Sequence, residues 1–210
     1  TEEYIDARVG NHGSSKQRKI MKIVVFASGS GSNAENIIHH FAGSSVTIAA
    51  IFCNVEGAGV LERAHRLGVP CELFHREEWK TGNRVDDLLA SYSPDLIVLA
   101  GFLWLFPQRL LERFPHVINL HPALLPKFGG KGMFGMHVHE AVVAAHETET
   151  GITVHWVTER YDDGAPIFQG RCAVSPNDDA HAVADKIHEL EMAHFPRVVE
   201  EVLKDIAPKR

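Results

Sequence analysis

Asn119 and His121 stand two apart in Val117-Ile118-Asn119-Leu120-His121-Pro122, and no other pair in the chain is better suited to acyl transfer. Residues 117–120 read as a short buried strand that runs into a proline-closed loop. Side chains two apart on a strand leave the same face. Pro122 has no N–H and cannot extend a central ladder, so His121 falls where the strand stops. In an open parallel sheet the ligand crevice lies outside that carboxyl end. An amide beside a titratable imidazole offers a donor for an oxyanion and a carrier for a proton. A satisfied strand-end histidine, with the amide making a turn, accounts for the same residues without chemistry.

Two further stretches invite chemistry. Ala27-Ser28-Gly29-Ser30-Gly31-Ser32-Asn33-Ala34 joins a strand to a helix, and the free N–H groups of a helix start attract an anion. The spacing matches a dinucleotide fingerprint, but an acid at the end of the next strand, roughly 20 residues on, is missing. A phosphate at Gly31, Ser32 and Asn33 fits better, and a tight turn capping a helix fits too. Later, Tyr161-Asp162-Asp163-Gly164 follows an alternating strand. Read plainly it is a solvated turn. Folded over the sheet's carboxyl end, one carboxylate would meet His121, favour its charged form and raise its pKa.

The elements that must position these groups alternate. Strands are expected over 22–27, 46–53, 70–74, 95–100 and 117–120, and helices over 32–41, 60–67, around 84–92, 107–114 and 137–145. Residues 95–100 are apolar on both faces, as in a central parallel strand. Residues 151–158 and 166–174 alternate like a late antiparallel pair. A last helix is expected from near Asp178, capped from Ser175-Pro176-Asn177 and kinked at Pro196. This order predicts an α/β fold: a doubly wound, mostly parallel sheet flanked by helices, with the antiparallel pair and the C-terminal helix added. Residues 1–20 read as a flexible N-terminal extension and 21–210 as one domain.

Composition narrows the partners. The net charge is −6, with no basic run or aromatic-basic interleaving, which argues against nucleic acid. The longest apolar run, residues 96–106, is too short to span a membrane. Three dispersed cysteines, Cys53, Cys71 and Cys172, fit a reducing cytoplasm and no zinc motif. His137 and His139 suggest a metal, but helix positions two apart do not face each other, and none is expected. His137 is a candidate for the substrate site.

Three motifs taken in order carry a resemblance: Ser28-Gly29-Ser30-Gly31-Ser32-Asn33, then Asn119-Leu120-His121-Pro122-Ala123-Leu124-Leu125-Pro126-Lys127, then Thr153-Val154-His155-Trp156-Val157 with Asp162-x-Gly164. From about Met21 onward the chain resembles the phosphoribosylglycinamide formyltransferases, folate-dependent enzymes of purine synthesis with a Rossmann-type fold. The resemblance implies transfer of a formyl group from 10-formyltetrahydrofolate, a co-substrate, to the amine of glycinamide ribonucleotide. It implies a tetrahedral intermediate, no metal, and a monomer or homodimer. By motif, Asn119, His121 and Asp162 are the catalytic trio, with protonated His121 and Asn119 stabilising the oxyanion. Gly31, Ser32 and Asn33 take the phosphate, and Glu191 takes the ribose. Arg84, Leu103, Trp104, Leu105, Phe106 and Asn119 form the folate site. The loop over residues 128–136 departs from the pattern, being longer and richer in glycine.

Related functions remain distinguishable. A formyltetrahydrofolate hydrolase normally carries a regulatory domain that twenty residues cannot form. A methionyl-tRNA formyltransferase needs a second, RNA-binding domain. A nucleotide-binding module without catalysis would use the glycine loop alone.

Overall fold

The computed structural model describes residues 19–208, so the extension expected over 1–20 lies outside the described residues except for its last two positions. The elements are β1 (Met21–Ala27), α1 (Ser32–Phe41), β2 (Val46–Cys53), α2 (Gly59–Leu67), β3 (Cys71–Leu73), α3 (Arg76–Thr81), α4 (Asn83–Tyr92), β4 (Leu96–Ala100), α5 (Gln108–Arg113), β5 (Val117–His121), α6 (Met136–Ala144), β6 (Glu149–Trp156), β7 (Pro166–Ala173) and α7 (Ala180–Ile206). The sheet runs β3-β2-β1-β4-β5-β6-β7. Its first five strands are parallel, and β6 lies antiparallel to both β5 and β7. This is the doubly wound architecture expected from the strand–helix alternation.

Both faces of β1 are buried, and its alternation divides the core. Ile23, Val25 and Ala27 join the apolar faces of α1, α2 and α7. Val24 and Phe26 join Trp79, Val85, Leu89 and Leu110 on α3, α4 and α5. The direction of strand order reverses between β1 and β4, and a crevice opens where the two following loops part. Those loops are tied together below it: Ser28 N–H donates to the Gly101 carbonyl at 3.0 Å, and Leu103 N–H to Ser28 Oγ at 3.0 Å.

Two elements differ from expectation. The six-residue α3 was not foreseen, because a helix that short buries one large side chain, Trp79, and shows no periodicity. A capping box between His75 and Glu78 starts it, and Gly82, at φ 85°, ends it. The last helix is capped by Asp179, whose side chain accepts from Ala182 N–H at 2.8 Å, and not from 175–177. Pro196, where a kink is expected, lies inside a single helix, and Phe195, Val198 and Val199 beside it are buried in the core.

Candidate active site

A cavity of about 550 Å³ occupies the crevice. Of the residues expected to form the site, Asn33, Leu103, Trp104, Leu105, Phe106, Asn119, His121, Asp162 and Glu191 line it. Gly31 and Ser32 stand at the start of α1, directly before Asn33. Arg84 is elsewhere.

The polar end is built on the β5–β6 ladder. Asn119 pairs with His155 in register, which puts both side chains on one face. His155 Nδ1 is 2.8 Å from the Trp156 carbonyl and must donate to it. In the neutral ring Nε2 therefore accepts, and Asn119 Nδ2 donates to it across 3.1 Å. That contact fixes which way the Asn119 amide points. His121 Nε2 donates to the Phe128 carbonyl at 2.8 Å, while its Nδ1 faces Asp162 Oδ1 at 3.4 Å. The same Asp162 oxygen is 3.6 Å from His155 Nε2, and Asp162 Oδ2 accepts from Gly130 N–H at 2.9 Å. Asp162 adopts a left-handed backbone, at φ 53°. Asp163 is exposed and faces Arg160 at 3.5 Å. It is Asp162 that meets the histidine.

The protonation states follow from burial against these contacts. Burial pushes His121 below its ordinary pKa, although the Asp162 carboxylate and the Phe128 carbonyl pull the other way. The expectation that Asp162 raises this pKa overall is corrected: its pull is real, but desolvation of a nearly sealed ring outweighs it. Burial opposes charge on Asp162 too, yet the His155 and His121 rings when protonated, together with the Gly130 N–H, hold it below the usual carboxylate range.

Elsewhere in the lining, α1 begins after Gly31, at φ 80°, which offers no side-chain cap. Ser32 N–H makes a long contact of 3.5 Å to Ser30 Oγ, and the next N–H groups of the first turn have no partner within the helix. Asn33 Nδ2 donates to Glu191 Oε2 at 3.0 Å, and burial pushes the Glu191 carboxyl upward. Gly31 has a second role that the sequence does not reveal. A Cβ there would press on Val60 Cγ2 at 2.6 Å, inside the core. Gly31→Val is therefore expected to lose about 2–5 kcal/mol from left-handed strain and overpacking together. Denaturant titration beside affinity measurements checks this. An unchanged midpoint with phosphate-ligand affinity alone reduced would leave close approach as the glycine's only purpose.

The apolar wall comes from residues 102–106. Its backbone is anchored by Trp79 Nε1, which donates to the Leu105 carbonyl at 3.1 Å. Beneath it Phe26, Phe74, Trp79, Phe102 and Phe106 pack ring against ring, with centroids 5.1–6.2 Å apart in the pairs. Arg84 does not reach this wall. It lies on the first turn of α4 and is held by Glu78 at 3.0 Å and the Leu73 carbonyl at 3.2 Å. Arg76, the first residue of α3, lines the cavity instead, with its guanidinium 5.2 Å from the Trp104 ring centre. His137 is likewise outside, exposed and 3.6 Å from Glu140, whereas His139 is buried and lines the cavity.

Sequence reasoning thus missed Arg76, His139 and the part played by His155. His155 stands in one of the motifs that carry the resemblance, but its place in the alternating strand gives no sign that it meets Asn119. Among the described residues no group of three or more His, Cys, Asp or Glu is arranged to hold a metal ion, and no helix is long and apolar enough to cross a membrane.

Comparison with known proteins points one way. The family described as formyl transferase matches residues 21–199. The chain is 34% identical over 204 residues to the chloroplastic phosphoribosylglycinamide formyltransferase of Arabidopsis thaliana, covering 91% of this chain and 70% of that one. It is 32% identical over 185 residues to the Haemophilus influenzae phosphoribosylglycinamide formyltransferase, covering 85% of each. The crystal structure of phosphoribosylglycinamide formyltransferase from Anaplasma phagocytophilum superposes with a TM-score of 0.80 at 30% identity, covering 89% of each chain.

Proposed function

Because the chain belongs to the formyl transferase family, we infer that its cavity is the active site for formylation of glycinamide ribonucleotide, a step of purine biosynthesis. The formyl donor is a folate, here assigned as 10-formyltetrahydrofolate. The observation that carries the reading is the cluster of His121, Asp162, Asn119 and His155 in a cavity that Asn33 and Glu191 also line. Reacting groups and nucleotide-binding groups face one space.

Neutral His121 keeps its Nε2 proton on the Phe128 carbonyl and offers Nδ1 as the base. The amine attacks the formyl carbon while its proton passes to His121. The imidazolium that forms lies against the Asp162 carboxylate, and with the Asn119 amide it stabilises the tetrahedral oxyanion. Collapse breaks the bond to the folate nitrogen, which takes the proton, directly from His121 or through a water. The α1 N-terminus at Gly31, Ser32 and Asn33 takes the phosphate and Glu191 the ribose hydroxyls. Leu103, Trp104, Leu105 and Phe106 wall the pterin, Asn119 contacts the folate, and Arg76 takes the place given to Arg84. No step calls for a metal. Residues 21–210 act as one domain, a monomer or homodimer, on two small molecules. The free thiols of Cys53, Cys71 and Cys172 support a cytoplasmic setting.

The test is tetrahydrofolate release with and without glycinamide ribonucleotide. Release that requires the ribonucleotide, with formylglycinamide ribonucleotide as product, is expected. Release that ignores it would mean a hydrolase, and binding without release a module lacking catalysis.

A pH prediction follows from the buried base. His121 should titrate below the unperturbed value of about 6.5, so turnover from the bound complex falls on the acid side as it gains a proton. Asp162→Asn removes a charge that favours the imidazolium and should move that titration lower still. Imidazole NMR of both proteins, beside kcat against pH, decides it. The protonated starting state expected from sequence would put His121 on the alkaline limb; burial reverses the assignment. A midpoint above 6.5 would restore it.

A further inference from the structure

Among the described residues three buried side-chain atoms lack a hydrogen-bond partner: Asn33 Oδ1, His139 Nδ1 and Thr150 Oγ1. Nearly all such atoms are satisfied in folded proteins, so each exception asks for a cause. Two of the three belong to residues lining the large cavity. At Asn33 the other end of the amide is held by Glu191, which leaves Oδ1 unmatched. His139 is 6% exposed, on the face of α6 that also buries Val138 and Val142. That helix packs against α7, which carries Glu191.

An unpaired buried N–H is among the costliest defects in a protein, and a bare ring nitrogen is the lesser one. Nδ1 is therefore the unprotonated nitrogen, and the neutral ring carries its proton on Nε2. Burial first, and then the neighbouring His121, disfavour a second proton. The cavity thus contains a neutral donor that the reaction above leaves unused. In the acceptor, the glycinamide carbonyl lies between the ribose, assigned to Glu191, and the amine, which must reach His121. A neutral N–H suits a carbonyl oxygen, and the phosphate is already assigned to the start of α1.

We propose that His139 is a further binding residue for the acceptor, its Nε2–H donating to the carbonyl oxygen of the glycinamide group. The inference rests on the acceptor assigned above. Glycinamide ribonucleotide binding to the full chain, measured by calorimetry beside turnover, tests it. His139→Leu should weaken binding about 10- to 100-fold and raise KM more than it lowers kcat, with tetrahydrofolate affinity unchanged. His139→Gln places an amide N–H about where Nε2 lies and should recover most of the loss. His139→Asn reaches only the Nδ1 position and should not.

Unchanged ribonucleotide binding in His139→Leu, equal rescue by Gln and Asn, or a parallel loss of tetrahydrofolate binding would each overturn the proposal. Should the leucine variant fail to fold, the contrast between Gln and Asn decides alone. Wild-type protein that binds the ribonucleotide without formylating it would sink the assigned reaction, and the binding comparison would still judge His139. Wild-type protein that does not bind it would sink both.

Discussion

Asn119→Ala and His121→Ala each lower kcat about 100- to 1000-fold, the usual loss when a donor to a developing oxyanion or its proton carrier is removed. Asp162→Ala belongs with them, since it strips the imidazolium of the carboxylate 3.4 Å from Nδ1. The losses should fall on kcat, because these contacts strengthen only as charge develops. Asp163→Ala supplies the contrast. Its carboxylate is exposed and faces Arg160, so turnover should stay within about twofold, as for most surface changes. Steady-state kinetics on the four variants, beside their denaturation midpoints, test this. Wild-type turnover in His121→Ala, or equal losses at Asp162 and Asp163, would end the assigned mechanism.

Gly164→Ala should be nearly as damaging, although the residue carries no functional group. A Cβ at this position would overlap the Trp156 carbonyl oxygen, which also accepts the hydrogen bond from His155 Nδ1. The turn must then lift away, and Asp162 two residues earlier lifts with it. Misplacing a reacting group by about 1 Å can cost on the order of 100-fold, and overpacking typically costs about 1–3 kcal/mol. Both losses should appear together, in kcat and in the denaturation midpoint. Retained turnover would mean that the turn relaxes without moving Asp162, and that the glycine of Asp162-x-Gly164 serves neither purpose.

How much of this was legible depended on whether the signal was local. The order of strands and helices through β5 could be read because β1 and β4 are apolar on both faces, which little else in a soluble protein explains. Asn119 and His121 stood out because the strand period alone puts them on one face. Asp162 came from the family resemblance, since nothing local distinguishes it from Asp163. The misses share a cause. His155 matters through its register partner on β5, a pairing of residues 36 apart in sequence. Arg84 and Arg76 are both cations near the third strand, and only the unforeseen α3 aims one at Trp104 and turns the other toward Glu78. His137 and His139 sit on a helix apolar at Met136, Val138, Val142 and Val143, with no clean stripe to show which histidine faces inward. The direction of the His121 shift was misjudged because a sequence shows charges but not burial.

The reversal of strand direction after β5 has a consequence for timing. Asn119 and His155 sit opposite each other within a hydrogen-bonded ladder, while the glycine-rich segment over 128–135, which also lines the cavity, is a loop. Ladder amides exchange with solvent only through large-scale opening, whereas loops open at little cost. Opening of that segment to admit a ligand is therefore expected on a faster clock than any motion that disturbs Asn119 and His155. The pocket can breathe once per turnover while these two groups stay in place.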